Sequence, residues 1–253
     1  MGRLTRHTLM TMASAFEAFI ADERGRFDTR ENNLFAFAFR DIAIYRRFLA
    51  ITQARYTSVG AEYVACVGAF NERIQKRPEP NSPMTTEEDG LYQRMGELSV
   101  ALRLEIESFY LFAYILLDKI AGAVAFYFEG NANTGSHRHA TLIKTFDQYS
   151  QRKGLAKPEG FIELATDLGT HIAAFRNFQI VHETGLRAIR GTGWRAGEGA
   201  RLTVSNLYPD PGEAHYETRP LGGLAEQVDD YLAAVIQVVI LNRDHTPLSL
   251  ANR

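Results

Sequence analysis

The longest stretch with helical periodicity places the strongest constraint on the fold. It runs from about Glu87 to about Glu129, between a proline-rich linker, Arg77 to Gly90, and a glycine- and asparagine-rich segment, Gly130 to Ala140. At about 100° per residue, a series of apolar and aromatic side chains falls on one side of this stretch. They are Phe109, Phe112, Leu116, Ile120, Ala123 and Tyr127. The pattern predicts one long helix whose apolar side faces a core, with Thr86 and Asp89 capping its start.

The opposite side of the same stretch carries charged residues and tyrosines. They are Arg103, Glu107, Tyr110, Tyr114 and Asp118. Such a stripe is either an ordinary solvent-exposed face or a surface that packs against a partner or lines a site. The most apolar part, Phe109 to Phe128, is interrupted by Asp118 and Lys119, which favours a buried core helix over a membrane span.

The remaining periodic segments predict an all-α fold, an up-down helical bundle with a small β-hairpin insertion before the last helix. We expect a single helical domain over residues 1–253. Its parts are N-terminal helices (1–76), a helical core (87–185), a β-hairpin insertion (186–222) and a closing helix (223–243).

Composition limits the classes of function. The chain has 253 residues, of which 45% are hydrophobic, and a formal net charge of −2. It therefore has no global basic field, and any contact with nucleic acid requires a local basic patch. Cys66 is the only cysteine and lies in an apolar helical run, which excludes disulfides within the chain and predicts a buried thiol. We expect a cytoplasmic protein that has no contact with a membrane.

The segment from Ala173 to Gly185, AAFRNFQIVHETG, is the strongest candidate for a site. It continues a helix that begins near Phe161, and Arg176 and His182 flank the buried face of that helix. If the helix continues, these two residues lie about 9 Å apart along its axis, which suits two sides of a cleft. Gly185 is the expected C-cap.

A local basic patch follows this segment. It comprises Arg187, Arg190, Trp194 and Arg195, in the glycine-rich start of the predicted β-hairpin insertion. Arginine side chains bind phosphate and a tryptophan can stack on a base, so the patch predicts contact with RNA. The alternative is an exposed hairpin whose tryptophan covers the edge of a core. A second basic face, Arg40, Arg46, Arg47 and Arg55, is interpreted as solvent-exposed rather than as a track for the RNA backbone.

The sequence provides little support for a metal or cofactor. His137 and His139 are two residues apart, without a nearby carboxylate or thiol that would complete a metal site. The chain has no phosphate-binding loop, no dinucleotide-binding motif, no HExxH and no GxSxG. We therefore expect no metal and no cofactor.

Two segments together resemble the HEPN superfamily of helical proteins. These segments are LRLEIESFYLFAYILLDKIA, within the long helix, and FRNFQIVHE at the end of a later helix. The superfamily's hallmark is an arginine followed, after four to six residues, by a histidine. Here Arg176 and His182 are separated by five residues, and the polar Asn177 directly after the arginine also fits. The resemblance covers roughly residues 90–185 and the closing helix.

This resemblance implies a metal-independent endoribonuclease that acts as a homodimer, in the role of a toxin or an anti-phage effector with a partner or antitoxin protein. His182 would be the general acid or base, Arg176 would stabilise the charge on the scissile phosphate, and Asn177 would position one of them. The expected supporting carboxylates are Glu107, Asp118 and Glu183. The alternative is that Arg176 and His182 form a structural pair in a catalytically inert, HEPN-like dimeric scaffold that binds a nucleotide or a partner protein.

Overall fold

A computed structural model describes residues 6–79, 82–130, 138–177, 205–207, 216–218 and 221–251. The described residues are mostly α-helical, and the predicted all-α character is confirmed. The helices are α1 (Arg6–Arg24), α2 (Thr29–Gln75), α3 (Thr86–Glu129), α4 (His139–Lys153), α5 (Phe161–Phe175) and α6 (Leu221–Leu241), followed by a 3-10 turn at Arg243–His245.

Helical periodicity predicted the extent of α3 well. The expected boundaries of about Glu87 and Glu129 agree with those of α3, and α1 and α2 lie within the predicted range of N-terminal helices, 1–76. Helix α1 ends at Arg24, and α4 begins at His139, directly after the segment 131–137 that lies outside the described residues.

A short antiparallel pairing precedes α6. Strand β1 (Ser205–Leu207) pairs with β2 (Tyr216–Thr218), and Asn206 lies opposite Glu217. The rest of the predicted hairpin insertion, 186–222, lies mostly outside the described residues, so the insertion as a whole stays a prediction.

The start of α3 is capped one residue earlier than predicted. The Glu88 backbone N–H donates to Thr85 Oγ1 at 3.3 Å, and the Thr85 backbone N–H donates to Glu88 Oε2 at 2.7 Å. This reciprocal arrangement is a capping box. The predicted capping pair, Thr86 and Asp89, was wrong because both residues already lie within the helix. Arg77 also donates two hydrogen bonds to Glu88. These bonds are the main reason why the pKa of Glu88 is lowered to about 2.

The described chain divides into two compact units. The first comprises Met1–Leu49, Leu111–Ala174 and Ala225–Arg253, and the second comprises Ala50–Tyr110 and Phe175–Leu224. Helices α2 and α3 contribute residues to both units, so the division does not test the prediction of a single domain.

The first unit has an aromatic core and two buried ionic clusters. Phe35 and Phe39 stack with their ring centroids 4.4 Å apart. Arg46 donates to both carboxylate oxygens of Asp229, at 2.8 and 2.9 Å, and each side chain is only about a tenth exposed. Glu23 has no exposed surface; it pairs with Arg26 and Arg243 and accepts a hydrogen bond from Tyr127. Both clusters join helices that are distant in sequence.

The second unit contains the C-terminal part of α2 and the N-terminal part of α3, which run antiparallel within it. Arg55 Nη2 lies 2.7 Å from Glu105 Oε1, and Arg94 Nη2 lies 2.6 Å from Glu62 Oε1. Cys66 is buried, as predicted, and its Sγ donates to the Leu91 carbonyl at 3.4 Å.

Among the described helices, α3 is long and apolar enough to cross a membrane by length and composition alone. However, 61% of its most apolar window is buried inside the fold, as is common for a core helix. The predicted core residues Phe109, Leu116 and Tyr127 have no exposed surface. The cytoplasmic location stays a prediction.

Candidate functional site

Helix α5 leads into the candidate site, and its sequence explains its position. Leu168, Ile172 and Phe175 are buried on one face, as their helical spacing predicted. Gly160, with a φ of +71°, directly precedes the helix, and its carbonyl accepts the Leu164 N–H at 3.0 Å. Because this φ is unfavourable for residues with a side chain, a glycine fits the turn that starts α5.

Phe175, the last residue of α5, belongs to the second unit and takes part in an aromatic stack there. The rings of Tyr110 and Phe175 lie with centroids 3.7 Å apart and planes 13° apart. Tyr110 has no exposed surface, so at this position the stripe on α3 packs inside the fold and does not face solvent. The stack fixes the residue that directly precedes Arg176.

The first two residues of the motif follow this stack. Arg176 and Asn177 continue the chain as a π-helical turn, which is wider than an α-helical turn. Arg176 Nη1 donates to Asn177 Oδ1 at 3.1 Å, and Arg176 is half-buried while Asn177 is exposed. The two predicted catalytic residues that the structure describes are therefore in direct contact, and Asn177 can orient the guanidinium.

The other motif and patch residues lie outside the described residues. They are His182, Glu183, Arg187, Arg190, Trp194 and Arg195. Their roles stay predictions, and so does the C-cap at Gly185. The basic face of α2 is partly used inside the fold, because Arg46 pairs with Asp229 and Arg55 pairs with Glu105.

The two supporting carboxylates that the structure describes have different surroundings. Glu107 belongs to the second unit and accepts a hydrogen bond from Arg103 Nε at 2.6 Å. Asp118 belongs to the first unit, where its Oδ1 accepts the backbone N–H of His139 at 2.9 Å. Arg138, at the N-cap of α4, makes no capping bond with its own side chain, so Asp118 supplies the cap of α4 from another helix.

Sequence reasoning placed His139 in a loop and missed its surroundings. His139 is buried, and its Nε2 lies 3.0 Å from the hydroxyl of Tyr231 on α6. Burial lowers the pKa of His139 to about 4, so the ring is neutral near pH 7. No local signal identifies Tyr231 as the partner, because the two residues are 92 positions apart.

No group of three or more His, Cys, Asp or Glu residues in the described part of the chain is arranged to hold a metal ion. His137 lies outside the described residues. The absence of metal and cofactor therefore stays an expectation for the chain as a whole.

The resemblance to the HEPN superfamily rests on the residues of this chain alone. Comparisons with protein-family models, with curated proteins and with solved structures gave no match.

Proposed function

We propose that the protein is a metal-independent endoribonuclease of the HEPN type that cleaves RNA by attack of the ribose 2′-hydroxyl. The observation that carries the proposal is the motif Arg176-Asn177-(four residues)-His182, which begins at the end of α5. The hydrogen bond from Arg176 to Asn177 supports it, because a polar residue directly after the arginine is part of the motif.

The proposed chemistry assigns one role to each motif residue. His182 takes the proton of the 2′-hydroxyl or gives one to the leaving oxygen, since histidine is the side chain whose ordinary pKa lies closest to neutrality. Arg176 stabilises the charge that develops on the scissile phosphate through its planar set of N–H donors. Asn177 is a positioning residue, because its Oδ1 accepts a hydrogen bond from the guanidinium of Arg176.

The proposed substrate and partners follow from the same chemistry. Attack by a 2′-hydroxyl requires RNA rather than DNA. Arg187, Arg190, Trp194 and Arg195 would bind the RNA backbone and stack on a base, because they form the densest local basic patch near the motif. A homodimer would bring two motifs together. In the cell, uncontrolled RNA cleavage would stop growth, so a toxin or anti-phage role with a controlling partner protein fits the proposed activity.

The experiment is cleavage of a mixed RNA pool by purified protein in excess EDTA. We expect the wild type to cut. His182→Ala and Arg176→Ala should lower the rate by at least about 100-fold, which is the usual contribution of a general acid–base group or a charge-stabilising donor. The matched controls are His245→Ala and Arg30→Ala, which remove an exposed histidine and an exposed arginine outside the motif and should leave the rate unchanged.

Cleavage that persists in both motif variants would contradict the proposed site. If neither the wild type nor the controls cut RNA at high protein concentration, the inert dimeric scaffold becomes the better account. In every case, circular dichroism of each variant must first confirm that it is folded.

A further inference from the structure

The first unit contains a cavity whose described lining includes neither Arg176 nor Asn177. It has a volume of about 560 Å³ and is bounded by α3, α4 and α5. Sites for small molecules usually have volumes of about 300–1,000 Å³, so the cavity is large enough for an organic ligand.

One wall of the cavity is apolar and made of small residues. Ala165, Gly169 and Ala173 are spaced one helical turn apart on α5, and Leu117 and Ile143 line the cavity from α3 and α4. A methyl group at Gly169 would lie only 3.0 Å from Cε1 and Nδ1 of His139. A glycine here therefore allows the buried His139 ring to pack against α5. Side chains this small leave a smooth surface that suits a flat ring.

Hydrogen-bonding groups from all three helices surround this apolar wall. Tyr114 and Asp118 lie one turn apart on α3, Thr166 and Thr170 lie one turn apart on α5, and Lys144 comes from α4. Asp118 uses Oδ1 to cap α4, and within the described part of the chain no hydrogen bond to its Oδ2 is present. Lys144 makes no ion pair with any described residue. The cavity therefore offers an acceptor and a donor that the described residues do not use.

The charges around the cavity argue against an anionic ligand. Among the described residues, its lining has one carboxylate, Asp118, and one ammonium group, Lys144, and His139 is neutral. The N-terminus of a helix is a common site for a phosphate, but at α4 this position already holds the Asp118 carboxylate. A ligand with several phosphates would find a single balancing cation, Lys144, among the described lining residues.

We propose that this cavity binds an uncharged, planar heteroaromatic molecule of the size of a nucleoside. Its ring would lie on the small-residue surface of α5 beside the aromatic ring of Tyr114. Ring N–H groups would donate to Asp118, and ring or sugar oxygens and nitrogens would accept from Lys144 and the threonine hydroxyls. The apolar face of such a molecule matches the small residues of α5. The hydrogen-bond donors and acceptors on its edges match the polar side chains of the lining.

The test is calorimetric titration of the full chain with adenosine, guanosine, cytidine, uridine and ATP. We expect one or more of the nucleosides to bind with a 1:1 stoichiometry and a Kd of about 0.1 mM, a typical affinity for a ligand of this size. ATP should bind no more tightly than adenosine. Thr170→Phe, which places a large ring at the cavity, should weaken nucleoside binding by at least about tenfold. Thr145→Phe, the same change at an exposed position of α4 outside the cavity, should leave it unchanged.

Asp118→Asn adds a test of the polar contact. An asparagine can still accept the His139 N–H and cap α4, but it removes the carboxylate charge, so nucleoside binding should weaken about tenfold while the fold is kept. Absence of binding by all four nucleosides well above the expected Kd would overturn the proposal. Binding that is unchanged in both Thr170→Phe and Asp118→Asn, or ATP binding much tighter than adenosine binding, would also overturn it.

Discussion

Tyr110 and Phe175 stack almost in parallel, with ring centroids 3.7 Å apart and planes 13° apart. Tyr110 lies on α3 and has no exposed surface, and Phe175 is the last residue of α5. Because Arg176 comes next in the chain, this stack fixes the backbone from which the proposed catalytic arginine extends. Both rings are buried, so the contact also removes a large apolar area from water.

Removing the ring of Tyr110 should destabilise the protein strongly. For Tyr110→Ala we expect the free energy of unfolding to fall by about 3–5 kcal/mol, the usual cost of replacing a buried aromatic residue with alanine. Tyr110→Phe keeps the stack and should lose at most about 1 kcal/mol. Denaturation in urea measures both, and the exposed Tyr92, changed to alanine, provides the control. Equal losses for Tyr110→Ala and Tyr92→Ala would contradict the role of the stack.

The position of the capping box at α3 can be tested with two adjacent threonines. Thr85→Ala should lower the free energy of unfolding by about 1 kcal/mol, because it removes the hydroxyl that accepts the Glu88 N–H. Thr86→Ala should change it by less than about 0.5 kcal/mol, since no such bond involves the exposed Thr86 in the described structure. The denaturant midpoints of the two variants distinguish these outcomes. A larger loss of stability in Thr86→Ala than in Thr85→Ala would support the capping pair predicted from the sequence, Thr86 and Asp89.

His139 should make stability depend on pH. Burial lowers the pKa of His139 to about 4 in the folded protein, whereas an unfolded histidine binds a proton near pH 6.5. As the pH falls below 6.5, the unfolded state takes up this proton first, so the free energy of unfolding decreases until the pH nears 4. Between pH 7 and pH 5 the loss attributable to His139 is about 2 kcal/mol.

Denaturation of His139→Gln at both pH values checks this contribution. Glutamine cannot titrate, so the loss of stability between pH 7 and pH 5 should be smaller in this variant than in the wild type by about 2 kcal/mol. The control His245→Gln, at an exposed histidine, should behave like the wild type. An identical pH dependence in His139→Gln and in the wild type would show that His139 is accessible to protons in the folded protein.

The sequence predicted what depends on local spacing. The apolar face of α5 follows from the helical repeat, and the ends of α3 follow from the proline-rich and glycine-rich segments beside it; a short window of sequence contains both signals. The burial of Tyr110 could not be predicted, because the ring that covers it belongs to a helix much later in the chain. The ion pair between Arg46 and Asp229 could not be predicted either, because the two residues are 183 positions apart and no local pattern connects them.

Only the part of the candidate site that depends on local sequence could be predicted. The motif at Arg176, Asn177 and His182 is a local pattern, and the structure adds the contact between the first two residues. The role of Asp118 as the cap of α4 was not predictable, because it depends on where a second helix begins in space. Tertiary packing decides which member of a polar stripe supports another element and which faces solvent.

The most direct measurement is the identification of RNA ends after cleavage in excess EDTA. Attack by the 2′-hydroxyl leaves a 2′,3′-cyclic phosphate on one fragment and a 5′-hydroxyl on the other, and mass spectrometry distinguishes these ends from the products of metal-dependent hydrolysis. We expect these ends with wild-type protein, and none with His182→Ala or with RNA whose 2′-hydroxyls are methylated. Products with a 3′-hydroxyl and a 5′-phosphate, or cleavage of the methylated RNA, would contradict the proposed mechanism.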